Sequence, residues 1–286
     1  MNSHQTDVAA VILTTGSRPD DLAASVRSIA EGIGCQTLIV WNSAAESPDK
    51  FNPQSNVTVV SPGSNLGIPG GRSFGAEQLT NEVLVFLDDD AKLLTTGVGA
   101  SLTQHFDENP NCAVLGFRIT DETGTQSRRH NPRVGRRGAD RPGPAGTFLG
   151  GACAVRRSAF NAVGGYDKSF FYSMEEQDLS WRLWDAGWEV HYKPEIVVSH
   201  PRTDPTRHEN ALIRTWQNRV TAARRSLPLP IRVVHLVLHG TRSIRMGLSA
   251  RHLVHVLLQH PRPSDSKPMS WRTVAKLTRI GRPPVV

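Results

Sequence analysis

Residues Val83 to Asp90 read VLVFLDDD, five apolar residues followed at once by three carboxylates. An uninterrupted apolar run of this length, bounded by charge, predicts a strand buried on both faces. Strands of that kind belong to sheets covered by helices, which collect ligands beyond the carboxyl ends of their strands. The three aspartates stand at such an end. Adjacent like charges repel and raise one another's pKa, so their natural partner is a divalent cation. Side chains alternate along an extended segment, which turns Asp88 and Asp90 to one side, where they can share one ion, and Asp89 to the other. A solvated turn or a helix cap would also accommodate three acids.

Upstream, Val8–Thr15 (VAAVILTT) reads as a second buried strand. A helix follows Arg18-Pro19 with Leu22, Val26 and Ile29 on one face, and Thr37–Trp41 and Val57–Val60 are short strands. Residues 65–75, NLGIPGGRSFG, form a glycine-rich segment leading into a short helix through Leu79. Glycines let a backbone approach a ligand closely, and Arg72 near a helix start suits a phosphate oxygen. The segment fits neither the P-loop nor the G-x-G-x-x-G pattern.

Downstream come a helix around Val98, Leu102 and Phe106 and a strand at Ala113–Ile119. Residues 121–146 lose periodicity and carry arginines at 128, 129, 133, 136, 137 and 141, which predicts a mobile surface loop. Order resumes at Thr147–Val155 (TFLGGACAV), then a helix over Glu175–Ala186, a strand at Ile196–His200, and basic helices beyond Thr206. The alternation argues for an α/β fold with an open, mostly parallel sheet flanked by helices. We place the main domain at 1–220 and a basic amphipathic helical extension at 221–286.

Composition narrows the functions. With 38% hydrophobic and 21% charged residues, the 286-residue chain can bury a core, which excludes wholesale disorder. No segment offers the roughly 18–20 apolar residues of a membrane span. The amino terminus has no basic region ahead of its apolar run, so no secretory signal is expected. Cys35, Cys112 and Cys153 are widely spaced and lack metal-ligand spacing, which fits buried thiols in the cytoplasm. Charge is uneven: residues 1–200 sum to −6 and residues 201–286 to +13. That asymmetry predicts an anionic partner for the carboxyl-terminal part.

Two further groups carry chemistry. Glu175, Glu176 and Asp178 open a helix whose positive end stabilises them, and one positioned carboxylate there can serve as a general base. His200 closes its strand before Pro201 and offers an imidazole to the same cation, or a hydrogen bond to the backbone.

Taken in order, the segments VAAVILTTGSRPDDLAASVRSI, NLGIPGGRSFGAE, VLVFLDDDA, TFLGGACAVRRSAFNAVGGYDKSFF, EEQDLSWRL and PEIVVSH resemble the family 2 glycosyltransferases of the GT-A fold. The resemblance covers about residues 8–220. It implies an inverting enzyme that moves a sugar from a nucleotide-sugar donor to a hydroxyl acceptor. DDD is similar to the family's Asp-x-Asp motif. This makes Asp88 and Asp90, completed by His200, ligands of Mn²⁺ or Mg²⁺ on the donor diphosphate, with Asp89 contacting the donor. EEQD resembles the signature whose second acid, here Glu176, is the catalytic base, with Asp178 in reserve. Thr15, Arg18, Asn65, Gly67 and Arg72 match donor-binding positions. Gly150, Gly151 and Trp181 fall on the acceptor side. Many relatives carry an aspartate that reads a pyrimidine where this chain has Trp41, so either Asn42 takes that task or the base stacks differently, and the resemblance implies a UDP- or dTDP-sugar donor.

In the extension, Arg232, His235, His239 and Arg242 recur at spacings of 3, 4 and 3 and predict a cationic helix face; Ile231, Val234, Val237 and Leu238 cover the other side. One reading packs this hairpin on the main domain with its cations solvated. The other lays it on an anionic membrane surface, at the inner face of the cell membrane, where a lipid-linked acceptor resides. Nucleic acid is not expected, because Trp216 and Trp271 are the only aromatic residues of the basic segment. A sugar-1-phosphate nucleotidyltransferase and a binding-only relative of the transferases are the rival readings.

Overall fold

The computed structural model describes residues 7–44, 56–127, 130–133, 139–201, 210–261 and 263–285. Arg128, Arg129, Arg136 and Arg137, which the sequence singled out, lie outside the described residues.

Four strands form the amino-terminal half of the sheet: β1 (Val8–Thr14), β2 (Gln36–Trp41), β3 (Val57–Val60) and β4 (Val83–Asp88). They run parallel in the order β3-β2-β1-β4, with Ile12 level with Ile39 on one side and with Leu87 on the other. Because side chains alternate, each strand feeds two cores. Val11, Val40 and Phe86 point to one face; Ile12, Ile39 and Leu87 point to the other. The second face is covered by α1 (Pro19–Gly32) and α3 (Val98–Glu108), through Leu22, Val26, Ile29, Leu102 and Phe106. The first receives α2 (Gly67–Glu77), α4 (Arg157–Ala162) and α5 (Glu175–Asp185).

The carboxyl-terminal half of the sheet is mixed. β8 (Ala152–Arg156) lies antiparallel between β4 and β6 (Cys112–Thr120), and β9 (Glu189–Ser199) runs parallel to β6. The two-residue strands β5 (Lys92–Leu93) and β7 (Gly143–Pro144) both pair antiparallel with β9. β5 matters most for function. It leaves the aspartate turn and sets Lys92 opposite Ser199, which carries Asp90 and His200 to the same edge.

Three expectations need correction. The glycine-rich segment does not lead into a helix; from Gly67 onward it is the helix, α2. A Cβ on Gly71 would strike Leu13, and one on Gly75 would strike Val11 and Val40, so these glycines let α2 lie against β1 and β2. The segment 121–146 is not simply a mobile surface loop. Arg133 is buried and donates hydrogen bonds to the carbonyls of Gly143 and Pro144, at 2.7 and 2.9 Å.

The third correction concerns the extension, which is α6 (Ala211–Ser226), α7 (Leu229–Arg245), α8 (Ala250–Gln259) and α9 (Trp271–Arg279). The expected boundary at 220/221 falls inside α6. Ala222, Ala223, Leu227, Met269, Val274 and Leu277 join the same core as β1 and β4, so no separate unit begins there. The imidazole face of α7 also turns inward. His235 is 1% exposed, lies edge-on to Trp181 with ring centroids 5.6 Å apart, and has Nδ1 3.0 Å from the Pro284 carbonyl. Burial, reinforced by the Arg219 charge, pushes the His235 and His239 imidazoles down to about 3 and about 2. They are neutral, and the apolar side of α7 faces outward.

Candidate active site

The β4 strand ends on Asp88 and the chain turns through Asp89 and Asp90. Asp89 points back to the end of β1, where the Thr14 hydroxyl donates to it at 2.6 Å. Arg18, at the start of α1, donates to Asp89 at 2.6 Å and also to Asp90. On the other side His200 Nε2 lies 3.5 Å from Asp88 Oδ2 and 3.3 Å from Asp90 Oδ1. The predicted alternation is thus observed, with Asp88 and Asp90 flanking one imidazole.

Two carboxylate oxygens and an imidazole nitrogen, all within 4.8 Å of one another, form a donor set that suits Mn²⁺ or Mg²⁺. A structural detail supports the fit. His200 Nδ1 lies 2.9 Å from the Pro201 carbonyl, to which it can only donate, so Nε2 is left to face the acids. Burial alone would lower the His200 pKa; the hydrogen bond and charge of Asp88, then the charge of Asp90, outweigh it and push it up to about 9. Burial likewise opposes the charge of Asp88, but the Arg72 guanidinium and the His200 hydrogen bond hold it well below the usual carboxylate range.

Arg72 organises the second half of the site. It sits on α2, 3% exposed, and donates to Asp88 Oδ1 at 2.7 Å. Its Nη1 lies 3.6 Å from Glu176 Oε1 and 3.9 Å from Glu175 Oε1. Below them, Gly150 and Gly151 form a floor. The Gly150 amide donates to Glu176 Oε1 at 3.0 Å; a Cβ there would run into Arg72 and Glu176, and one on Gly151 would run into Asp88. Successive glycines therefore bring Glu176 and Asp88 onto one surface. Glu176 retains a partly exposed side chain, whereas Glu175 is buried, with Oε2 lacking a hydrogen-bond partner among the described residues. Burial first, then the Glu176 charge, push the Glu175 carboxyl up to about 8.

The segment feeding α5 is strained. Phe171, Ser173 and Met174 have φ of 55°, 72° and 75°, which costs free energy for residues that carry a Cβ. Asn218 of α6 holds them there: its Nδ2 lies 2.8, 2.7 and 2.9 Å from the carbonyls of Phe170, Tyr172 and Ser173. Gly67, at φ 72°, packs so closely on Phe171 that no side chain would fit.

The sequence profile described as Glycosyl transferase family 2 matches residues 11–164, just over half of the chain. The chain belongs to glycosyl transferase family 2. Within that family it is 43% identical over 68 residues to the N-acetylglucosaminyl-diphospho-decaprenol L-rhamnosyltransferase of Mycobacterium tuberculosis, which covers 24% of this chain and 22% of the relative. It is 28% identical over 191 residues to the pre-mycofactocin glycosyltransferase of the same organism, 62% of this chain and 40% of the relative. The chain thus spans well under half the length of these curated relatives. Among solved structures, GalNAc-T7 with UDP, GalNAc and Mn²⁺ superposes with a TM-score of 0.59 at 17% identity, over 76% of this chain and 48% of that one. The mannosyltransferase PcManGT of Pyrobaculum calidifontis, in complex with GDP-Man and Mn²⁺, gives 0.57 at 16% identity, over 99% and 78%. These likenesses establish the GT-A fold.

Several family-derived assignments are revised by the geometry. Asn42 is engaged within the protein. Its Nδ2 donates to Asn65 Oδ1 and the Gly67 carbonyl, both at 3.1 Å, and its Oδ1 accepts from the Leu66 amide at 2.8 Å. Asn42, Asn65 and Gly67 therefore fix the start of α2. Arg72 is too buried to receive a phosphate and instead binds acids, while Arg18 is the more open guanidinium. Thr15 is exposed at the strand end, bonded to Ser17; Thr14, unnoticed in the sequence, touches the aspartates. Asp178 is fully buried between Arg182 and Arg225, at 2.7 and 2.9 Å, and cannot meet an acceptor. Trp181 is 1% exposed in the core, away from any acceptor surface.

A second cluster, His105, Cys112 and His191, is internally satisfied. His105 Nε2 lies 3.1 Å from His191 Nδ1, His191 Nε2 lies 3.0 Å from Glu189, and Cys112 donates to the Val114 carbonyl. Burial pushes the Cys112 thiol up to about 12, and this relay explains all three side chains without an ion.

Proposed function

We propose that the chain is an inverting glycosyltransferase that transfers a sugar from a UDP- or dTDP-sugar to the hydroxyl of a lipid-linked or other cell-envelope acceptor. The observation that carries the reading is the shared floor of Gly150 and Gly151, which brings a partly exposed Glu176 onto one surface with Asp88, itself in a cluster with Asp90 and His200. Asp88, Asp90 and His200 would hold Mn²⁺ or Mg²⁺, which supplies Lewis-acid stabilisation of the departing diphosphate when bound.

Glu176 Oε accepts the proton of the acceptor hydroxyl as that oxygen forms its bond to the anomeric carbon. The bond from that carbon to the diphosphate oxygen breaks on the opposite face, and its electron pair leaves with the nucleotide. Arg18, half exposed beside Asp89 and Asp90, orients the donor diphosphate, and Arg72 keeps Asp88 ionised from beneath. The name of the rhamnosyltransferase relative, which specifies a diphospho-decaprenol acceptor, supports a polyprenyl-linked substrate and work at the inner face of the cell membrane. No described helix is long and apolar enough to cross a membrane. The nucleotidyltransferase reading finds no support in the family match.

The test is donor turnover with a panel of nucleotide sugars and Mn²⁺. Glu176→Gln lowers transfer by roughly 10²- to 10⁴-fold with little change in donor affinity. Asp88→Ala and Asp90→Ala abolish the Mn²⁺-dependent thermal shift. Transfer by Glu176→Gln at the wild-type rate removes Glu176 from the mechanism.

A further inference from the structure

The outward face of α7 and α8 is unlike the rest of the surface. Leu229, Val233, Val237 and Ile244 follow one another at spacings of 4, 4 and 7 on α7, and Val254 and Leu258 are four apart on α8. All six are exposed, Val237 by 59%, Leu229 by 65% and Leu258 by 79%. Isolated apolar residues on a surface are ordinary, but a ridge continued across two helices marks an interaction site. The sequence placed the polar side of α7 outward; the burial of His235 and Gly240 turns the helix the other way.

Charge identifies what meets this ridge. Residues 210–264 contain no Asp or Glu, and Arg245 and Arg251 are exposed close to the apolar positions Ile244 and Val254. A second copy docking by the same face would set arginine against arginine with no acid to pair them. An anionic bilayer answers both features, since its phosphates take the guanidinium groups while the ridge enters the headgroup boundary. Because the imidazoles that face inward are neutral, the cationic component is arginine.

We infer that α7 and α8 form a membrane-docking surface that seats the protein on anionic phospholipid through the ridge Leu229–Val233–Val237–Ile244 and Val254–Leu258. The surface lies close to the chemistry, because α7 leans on α5 through His235 and Trp181, and α5 carries Glu176. The inference deepens the proposed lipid-linked acceptor but does not depend on turnover.

The experiment is co-sedimentation of the full chain with vesicles of phosphatidylglycerol and phosphatidylcholine, without donor or metal, at low and high salt. The expected result is binding to phosphatidylglycerol-containing vesicles that weakens with salt and is absent from pure phosphatidylcholine. The double variant Arg245→Glu, Arg251→Glu lowers the partition coefficient by roughly 30-fold, at about fivefold per arginine. Val237→Asp with Leu258→Asp removes binding while the melting temperature and soluble donor turnover stay at wild-type values. Absence of binding to phosphatidylglycerol vesicles at low salt overturns the inference. So does a wild-type dimer in sedimentation velocity that Val237→Asp converts to a monomer, because the ridge would then be a contact between copies. Neither outcome touches the proposed transfer, which is read separately on donor turnover.

Discussion

Arg72 gathers Asp88, Glu175 and Glu176 around one buried guanidinium, and the consequences differ for each acid. Asp88 is held ionised, whereas Glu175 is driven towards its protonated form. An ordinary glutamate at 4.5 raised to about 8 binds more protons in the folded than in the unfolded chain across that interval. The stability it contributes is therefore fully present at acid pH and is lost as pH rises through 8. Glu175→Gln keeps the shape and removes the charge. Its melting temperature should exceed that of the wild type by more at about pH 8 than at about pH 5, and a pH-independent difference would contradict the assignment. The acids and His200 were legible in the sequence because their chemistry needs rare residue types at strand and helix ends. Thr14 and Asn218 were not, because an ordinary polar side chain takes its role from a partner distant in sequence. Asn42 and Trp181 misled for the same reason: their residue types fit a binding site, but their partners are interior.

At the level of the element, the stretch before α5 is the sensitive part. Three left-handed residues that carry a Cβ stand directly ahead of Glu175 and Glu176, and the Asn218 amide from α6 restrains them together with the Ile68 amide on the Phe171 carbonyl. Asn218→Ala should relax the stretch and misplace Glu176, which lowers turnover by roughly ten- to 100-fold with donor affinity nearly unchanged. Steady-state kinetics with a donor-binding isotherm distinguish this from a loss of donor affinity; equal losses in both would show that Asn218 supports the donor site instead. The glycine-rich element also instructs about reading. Gly67, Gly71 and Gly75 recur every four residues, the period of one helix face, and that spacing announces close helix–sheet packing. Their abundance suggested a ligand loop only because glycine serves both purposes. β5 escaped notice because two residues carry no periodicity, and its pairing with β9 is settled by tertiary contacts.

For the whole molecule, α6 and α9 join the main core, whereas α8 packs with α6 in a smaller cluster around Trp216 and Leu253. Leu277 of α9 is fully buried with Leu179 and Trp184 of α5 in the cluster that lines β1 and β4. Leu277→Ala should cost about 2–5 kcal/mol in chemical denaturation, and the unfolding should remain a single transition. Two separated transitions would restore an independent extension. Alternation of strands with α1, α2 and α3 made the sheet legible over the first half. The second half was obscure because β8 reverses direction without a helix, and the inward turn of the α7 imidazoles depends on Trp181 and Pro284, which no local pattern reveals.

The short pairing of Lys92 with Ser199 has a kinetic implication. It joins segments more than a hundred residues apart, and such distant closures come late as a chain organises. Asp90 and His200 have no reason to meet before that seam is sewn. A nascent chain that has not yet released β9 from the ribosome would lack His200, so the proposed cation site would assemble only once that strand has emerged, ahead of the helices that follow it.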